Sequence, residues 1–288
     1  MGSALLLHCR TMIHNTQDIK LNDGHSIPQL GFGTFLVDPD EAHRVVTDAL
    51  EAGYRHIDTA AFYGNEEGVG AAIRDSGIPR EEIFVTTKLW NDRHDDAPDA
   101  LNECLTKLGL DYVDLYLIHW PVPKQDKYLG AWDSLIQLRE KALTRSIGVC
   151  NFLPEHIDRL VAESGVAPAV NQVELHPWMQ QKDTVATNGR HGIATEAWAP
   201  LGQFKYDFTQ FPALVDAAAA HNATEAQVVL RWHLQNGTIV FPKSRVRERM
   251  EENLGALDFT LSDEEMAAIN SLDRGEEGRL GFHPNERS

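Results

Sequence analysis

Asp58, Tyr63, Lys88 and His119 are an acid, a phenol, an amine and an imidazole, and they cluster where strand-like runs end. Asp58 closes Arg55-His56-Ile57-Asp58, and Tyr63 follows five residues later. Lys88 closes Ile83-Phe84-Val85-Thr86-Thr87-Lys88, and His119 closes Val113-Asp114-Leu115-Tyr116-Leu117-Ile118-His119. A free phenol has a pKa of about 10 and is a poor proton donor near neutrality. A neighbouring ammonium lowers that value. Lys88, held in place by Asp58, would therefore tune Tyr63 as a general acid. His119 would hydrogen-bond a carbonyl oxygen and polarise it. Together the four describe a site that reduces a carbonyl, provided that something else delivers hydride. Each has a plainer reading taken singly: Tyr63 as a packed phenol, Lys88 with Asp58 as a structural ion pair, His119 as a strand end. Finding all four at matched positions weighs against coincidence.

The elements that must position them alternate. Strand signals fall at 30–35, 55–58, 83–89, 113–119, 145–150, 169–175, 193–199 and 238–242, and most are short runs rich in β-branched residues. Such runs suit strands buried on both faces. A hairpin precedes them, with Asp18–Leu21 and Ser26–Leu30 flanking a turn that contains Asp23-Gly24. Helix signals lie between the strands. Asp38 with Pro39 and Glu41 reads as an N-terminal cap, and Gly53 as the stop of that helix. Asn65 reads as the next cap, with Gly77 past the helix end. Thr224 with Gln227, and Ser262 with Glu265, read as capping boxes, the latter with Leu261 and Met266 as a staple. The expected fold is α/β, a (β/α)8 TIM barrel with its site at the C-terminal face. The competing doubly wound sheet wants Gly-x-Gly-x-x-Gly after its first strand. Gly31-Phe32-Gly33-Thr34-Phe35-Leu36 lacks the third glycine.

A second block follows the eighth strand. Pro242-Lys243-Ser244-Arg245-Val246-Arg247-Glu248-Arg249 sets lysine, serine and arginines at a strand-to-helix junction, which suits a phosphate group. A solvated basic patch is the ordinary alternative. The cluster stands out because the chain of 288 residues carries a net charge of -17. That charge argues against nucleic acid as a main partner. The only apolar start, Ala4-Leu5-Leu6-Leu7, is too short to span a membrane. Residues 1–15 read as a disordered leader ahead of one barrel domain at 16–288. Cys9, Cys104 and Cys150 give neither a disulfide framework nor a zinc pattern, and a reducing cytoplasm fits them. Histidines His56, His119 and His176, with Asp58 and Glu174, raise a metal-dependent barrel hydrolase as an alternative. The first strand lacks the histidine pair that such barrels use, so no metal is expected.

Taken in order, several stretches resemble the aldo-keto reductase family. They are Leu30–Thr34, Asp58–Glu66, Thr87–Trp90, Leu110–Pro121, Ile147–Phe152, Asn171–Pro177 and Pro242–Ser244. The resemblance runs from about Ile19 to the C-terminus. It implies a barrel closed at its bottom by the hairpin, and NADPH bound across the mouth. By the resemblance Tyr63 donates the proton, Lys88 and Asp58 tune it, and His119 orients the carbonyl. Asn151 and Gln172 match positions that hold the nicotinamide carboxamide, and Trp198 matches the ring that stacks on it. Leu201 and Gly202 match the pyrophosphate loop. Lys243, Ser244, Arg245 and Arg249 match the grip on the 2′-phosphate, and Glu252 and Asn253 match adenine contacts. Cys150, Ala199 and Phe241 depart from residues common in the family at those places.

Short loops and Trp198 are similar to the prokaryotic branch that includes 2,5-diketo-D-gluconate and methylglyoxal reductases. The implied activity is NADPH-dependent reduction of small aldehydes or ketones by a cytoplasmic monomer. Phe35, Trp90, Trp120 and Trp178 are the expected pocket walls, with core packing as their plain alternative. An NADPH-binding regulatory module with little turnover, as in potassium-channel β-subunits, is the second reading.

Overall fold

The apolar runs form one parallel sheet in the computed structural model, which describes residues 18–287. A hairpin comes first, with β1 (Asp18–Lys20) antiparallel to β2 (Ser26–Pro28). The barrel strands follow as β3 (Phe32–Gly33), β4 (His56–Asp58), β5 (Phe84–Leu89), β6 (Val113–Ile118), β7 (Thr144–Cys150), β8 (Val170–Glu174), β9 (Ala194–Trp198) and β10 (Ile239–Val240). Each pairs in parallel with its sequence neighbours. Leu30 bridges Val240 in parallel, and Gly31 N–H donates to the Val240 carbonyl at 2.7 Å, which brings the last strand against the first. All residues of β5 and β6 are buried, as expected of strands with no solvent face.

Helices α1 (Pro39–Ala52), α2 (Glu66–Asp75), α3 (Ala97–Leu108), α4 (Tyr128–Glu140), α5 (Pro154–Ser164) and α6 (Lys182–Arg190) fall between successive strands. Then α7 (Pro212–His221) and α8 (Glu225–Gln235) precede β10, and α9 (Arg247–Leu254) and α10 (Asp263–Asn270) follow it. The main core lies between strands and helices, where Val45, Val46 and Leu50 of α1 are buried with Ile57, Val85 and Tyr116. Gly70 shows how close the helices come. A Cβ there would lie 1.9 Å from the Leu108 carbonyl oxygen, so only glycine lets α2 meet the end of α3.

A smaller cluster fills the barrel's lower interior. Leu21 and Ile27 of the hairpin join Phe84, Val170, Ile239 and their neighbours, mostly from the starts of the strands. The hairpin is thus a plug, and the Asn22 amide pins it to the Pro168 carbonyl at 2.8 Å. The strand ends at the opposite face are left open for chemistry.

Two expected caps are not made. Asp38 has no side-chain cap bond, because it and Glu41 instead reach Arg245 at 3.1 and 3.2 Å. Asn65 does not cap α2 either. Its amide donates to the Thr34 and Val37 carbonyls and accepts from Thr59, tying the loop after β3 to the loop after β4. The boxes at Thr224 and Ser262 form as expected. The expected leader, 1–15, lies outside the described residues, and so does Cys9.

Candidate active site

Asp58 ends β4, and the chain turns at once through a short 3-10 segment, Ala61–Tyr63, that returns the Tyr63 phenol over the barrel. Lys88 lies near the end of β5, fully buried. Its ammonium donates to Asp58 Oδ1 at 2.7 Å, the Thr59 carbonyl at 2.9 Å and Tyr63 Oη at 3.2 Å. Three acceptors for three N–H donors select the charged amine. Burial would discharge Lys88, but Asp58, by its charge and its hydrogen bond, holds the ammonium, and the net shift is upward. Burial also pushes the Asp58 carboxyl up, against the pull of Lys88 and Gln172. The geometry favours the ion pair, which titrates as one unit.

Tyr63 departs from the sequence expectation. Lys88 does lower its phenol, but burial is the larger effect and the net shift is upward. The phenol therefore stays protonated near neutrality. Its oxygen accepts from Lys88, so its own proton is left for another acceptor. His119 follows β6 and is nearly buried, with its ring centroid 5.9 Å from that of Tyr63. Burial, then the Lys88 and Arg287 charges, hold its imidazole well below its ordinary value, so it is neutral.

Beneath these groups the Gln172 amide nitrogen, on β8, donates to Asp58 Oδ2 and to Glu196 Oε2, both at 2.9 Å. With both N–H groups turned inward, the amide oxygen is the atom left to meet a donor. Glu196, on β9, is fully buried, and burial with the Asp58 charge pushes it up to about 8. Asn151 sits after β7 in the left-handed region, φ 62. It donates to the His119 carbonyl at 3.0 Å and accepts from the Trp198 indole at 2.8 Å. Leu201 and Gly202 form the turn after β9, with Gly202 at φ 58.

The sequence-derived residues do not all converge. Phe35 lies 5.1 Å from the Tyr63 ring. Trp90 stacks on the exposed Phe62 at 3.8 Å and meets His119 edge-on at 5.0 Å. Trp120 is nearly buried beside this group. Trp178 is instead fully buried in the core, stacked on Tyr206 at 4.0 Å. Its indole fills space under the loop after β9 rather than walling the mouth. Lys243, Ser244 and Arg249 lie at the entry to α9, and the Val246 N–H donates to Ser244 Oγ at 3.0 Å. Burial, then Arg245, pulls the Lys243 ammonium down, the direction an added anion would reverse. Arg245 is engaged by Asp38, Glu41 and the Leu36 carbonyl. Glu252 accepts from Thr224 on the α8 side, and Asn253 is buried.

Glu196, Phe62 and Arg287 were not singled out from sequence. Only the barrel's closure brings Glu196 to Asp58. Among the described residues His56 is held by Pro28 and Thr86, and His176 by Glu174, away from any common centre with His119. Nor is any helix among them long and apolar enough to cross a membrane.

The ion pair, the phenol and the neutral imidazole thus meet at the open face of a parallel barrel, the face on which such barrels carry their active sites. Residues 29–274 match the model of the Aldo/keto reductase family, and the chain belongs to that family. A methylglyoxal reductase DkgA of Yersinia pestis is 52% identical over 266 residues, 92% of this chain and 95% of that one. A solved aldo/keto reductase of Brucella melitensis is 50% identical with a TM-score of 0.85, covering 90% of this chain and 100% of that one. The structure of a Gox0644 mutant in complex with NADPH is 43% identical with a TM-score of 0.90, covering 95% of this chain and 99% of that one.

Proposed function

We propose that this enzyme reduces small aldehydes and ketones with NADPH, with Tyr63 as proton donor. The observation that carries the assignment is the Lys88 ammonium, whose third bond ends on the Tyr63 oxygen. A phenol held this way keeps its proton while the site is idle. When a carbonyl oxygen gathers negative charge it takes that proton, and the phenolate left behind faces an ammonium already in contact. Asp58 keeps Lys88 in place and charged. Neutral His119 offers a hydrogen bond to the same oxygen without competing as an acid. The bound cofactor supplies the hydride.

Residues present fit such a cofactor. The Gln172 oxygen and the Asn151 amide suit a carboxamide, Trp198 suits a flat ring, and Leu201 and Gly202 border the turn beside them. Lys243, Ser244 and Arg249 suit a phosphate ester at a helix entry, which favours NADPH over NADH. Arg245 can join them by leaving Asp38 and Glu41, and Glu252 and Asn253 are the remaining adenine candidates. Phe35, Phe62, Trp90 and Trp120 make an aromatic surround suited to small carbonyls such as methylglyoxal. Buried, unpaired Cys104 and Cys150 suit a reducing compartment, and we take the enzyme to be a cytoplasmic monomer.

A carbonyl panel scored by NADPH consumption tests the proposal, with the same panel and NADH as the comparison. Turnover on several small carbonyls with NADPH preferred is the expected result. A regulatory module would bind NADPH and consume none.

A further inference from the structure

Gln172 and Glu196 are register partners on the adjacent strands β8 and β9, and both are buried. The Gln172 amide nitrogen has two N–H groups and two acceptors, Asp58 Oδ2 and Glu196 Oε2, each at 2.9 Å. Asp58 is ion-paired with Lys88 and accepts only, so the amide must turn its nitrogen toward it rather than its oxygen. Held by Asp58 alone, the amide would remain free to pivot about that one bond. The second bond, to Glu196, fixes the plane of the amide and with it the direction of its oxygen.

Glu196 has no other partner. The bond to Gln172 is its only side-chain hydrogen bond among the described residues, and Oε1 has none there. Being fully buried below the mouth, it is shut off from anything that enters from solvent. Burying a carboxyl is costly, and an apolar side chain would fill the same place at smaller cost. That cost points to a task that an apolar residue cannot do. Burial, then the Asp58 charge, favour the neutral carboxyl, whose carbonyl oxygen still accepts from the amide.

We propose that Glu196 is a positioning residue for the cofactor. By anchoring the second N–H of Gln172 it keeps the amide oxygen fixed as the acceptor for the carboxamide N–H of a nicotinamide. Recognition of the carboxamide then depends on a side chain that never touches it. The proposal rests on the NADPH reading of this mouth. A merely structural Glu196, when replaced, would weaken every nicotinamide nucleotide alike.

The test measures dissociation constants of the full chain for NADP+ and for its 3-acetylpyridine analogue, in which methyl replaces the carboxamide NH2. Both are read from quenching of protein fluorescence, without substrate. Wild type should bind NADP+ more tightly than the analogue. That preference is expected to fall about three- to ten-fold in Glu196→Met and to return in Glu196→Gln, which keeps an acceptor. Gln172→Met should lose the same preference, and Glu196→Met should add nothing to it in that background. An unchanged preference in Glu196→Met, equal weakening of both nucleotides, or a loss that Glu196→Gln does not restore overturns the proposal. A second readout needs only the free wild-type enzyme. The Gln172 side-chain amide protons should be strongly protected from hydrogen exchange. Exchange as fast as that of exposed glutamines overturns the proposal whether or not Glu196→Met folds. Failure of wild type to bind either nucleotide overturns the NADPH reading itself, and this proposal with it.

Discussion

Replacing Glu196 by glutamine should change how stability depends on pH more than it changes stability at any one pH. Glu196 is fully buried, its Oε2 accepts from Gln172 at 2.9 Å, and Oε1 has no partner among the described residues. Burial, with Asp58 near, raises its carboxyl from an ordinary 4.5 to about 8. The folded chain therefore holds a proton that the unfolded chain releases between those values. Its contribution is full below pH 4.5, declines by about 1.4 kcal/mol per pH unit, and is gone above pH 8. Between pH 5.5 and 7.5 the wild type should lose about 3 kcal/mol from this group alone. Glutamine keeps the shape and the acceptor but cannot titrate.

Buried His56, His94 and His233, depressed to about 3, 4 and 3, act in the opposite sense, losing stability as pH falls. They are common to both proteins and cancel in the difference. Urea titrations of wild type and Glu196→Gln at the two pH values measure it. With m near the upper end of the usual range, about 3 kcal/mol/M, the midpoints should diverge by roughly 1 M on going to pH 7.5. Midpoints that keep a constant separation would refute the assignment of a neutral carboxyl beneath Asp58.

Lys243→Ala with Arg249→Ala should raise the KM for NADPH by about ten-fold or more and leave that for NADH within a few-fold, measured by initial rates. Equal loss on both cofactors would remove the 2′-phosphate assignment. Gly70→Ala should lower the unfolding midpoint sharply, because its Cβ would lie 1.9 Å from a main-chain oxygen and α2 must shift. Overpacking of this kind costs at least about 1–3 kcal/mol, and a thermal midpoint within a degree of wild type would contradict the close approach.

The barrel was legible because its strands are buried runs with little alternative. The run 83–89 is read as a strand from composition, and the structure forms a strand over Phe84–Leu89 with every residue of it buried. Capping boxes were legible where the side chains have no stronger suitor, as at Thr224 and Ser262. They failed where tertiary partners compete: Arg245 takes Asp38 and Glu41, and the loops after β3 and β4 take Asn65. The tetrad was legible because a parallel barrel sends all its strand ends to one face. Its electrostatics were not. Sequence places an ammonium near Tyr63 but gives no measure of burial, which reverses the net shift. Trp178 and Trp120 look alike in sequence, each within two residues of a histidine, yet one stacks into the core on Tyr206. Glu196 and Arg287 reach the site only through contacts far apart in the chain, so no local pattern marks them.

The central claim is that the Tyr63 phenol delivers the proton while Lys88 steadies the phenolate. It is tested most directly by single-turnover reduction of methylglyoxal by Tyr63→Phe, with NADPH binding followed in parallel by fluorescence. Phenylalanine keeps the ring beside Phe35 and His119 and removes only the hydroxyl. We predict a rate lower by about 10²–10⁴-fold with NADPH affinity preserved. Full-rate reduction by Tyr63→Phe would contradict the account.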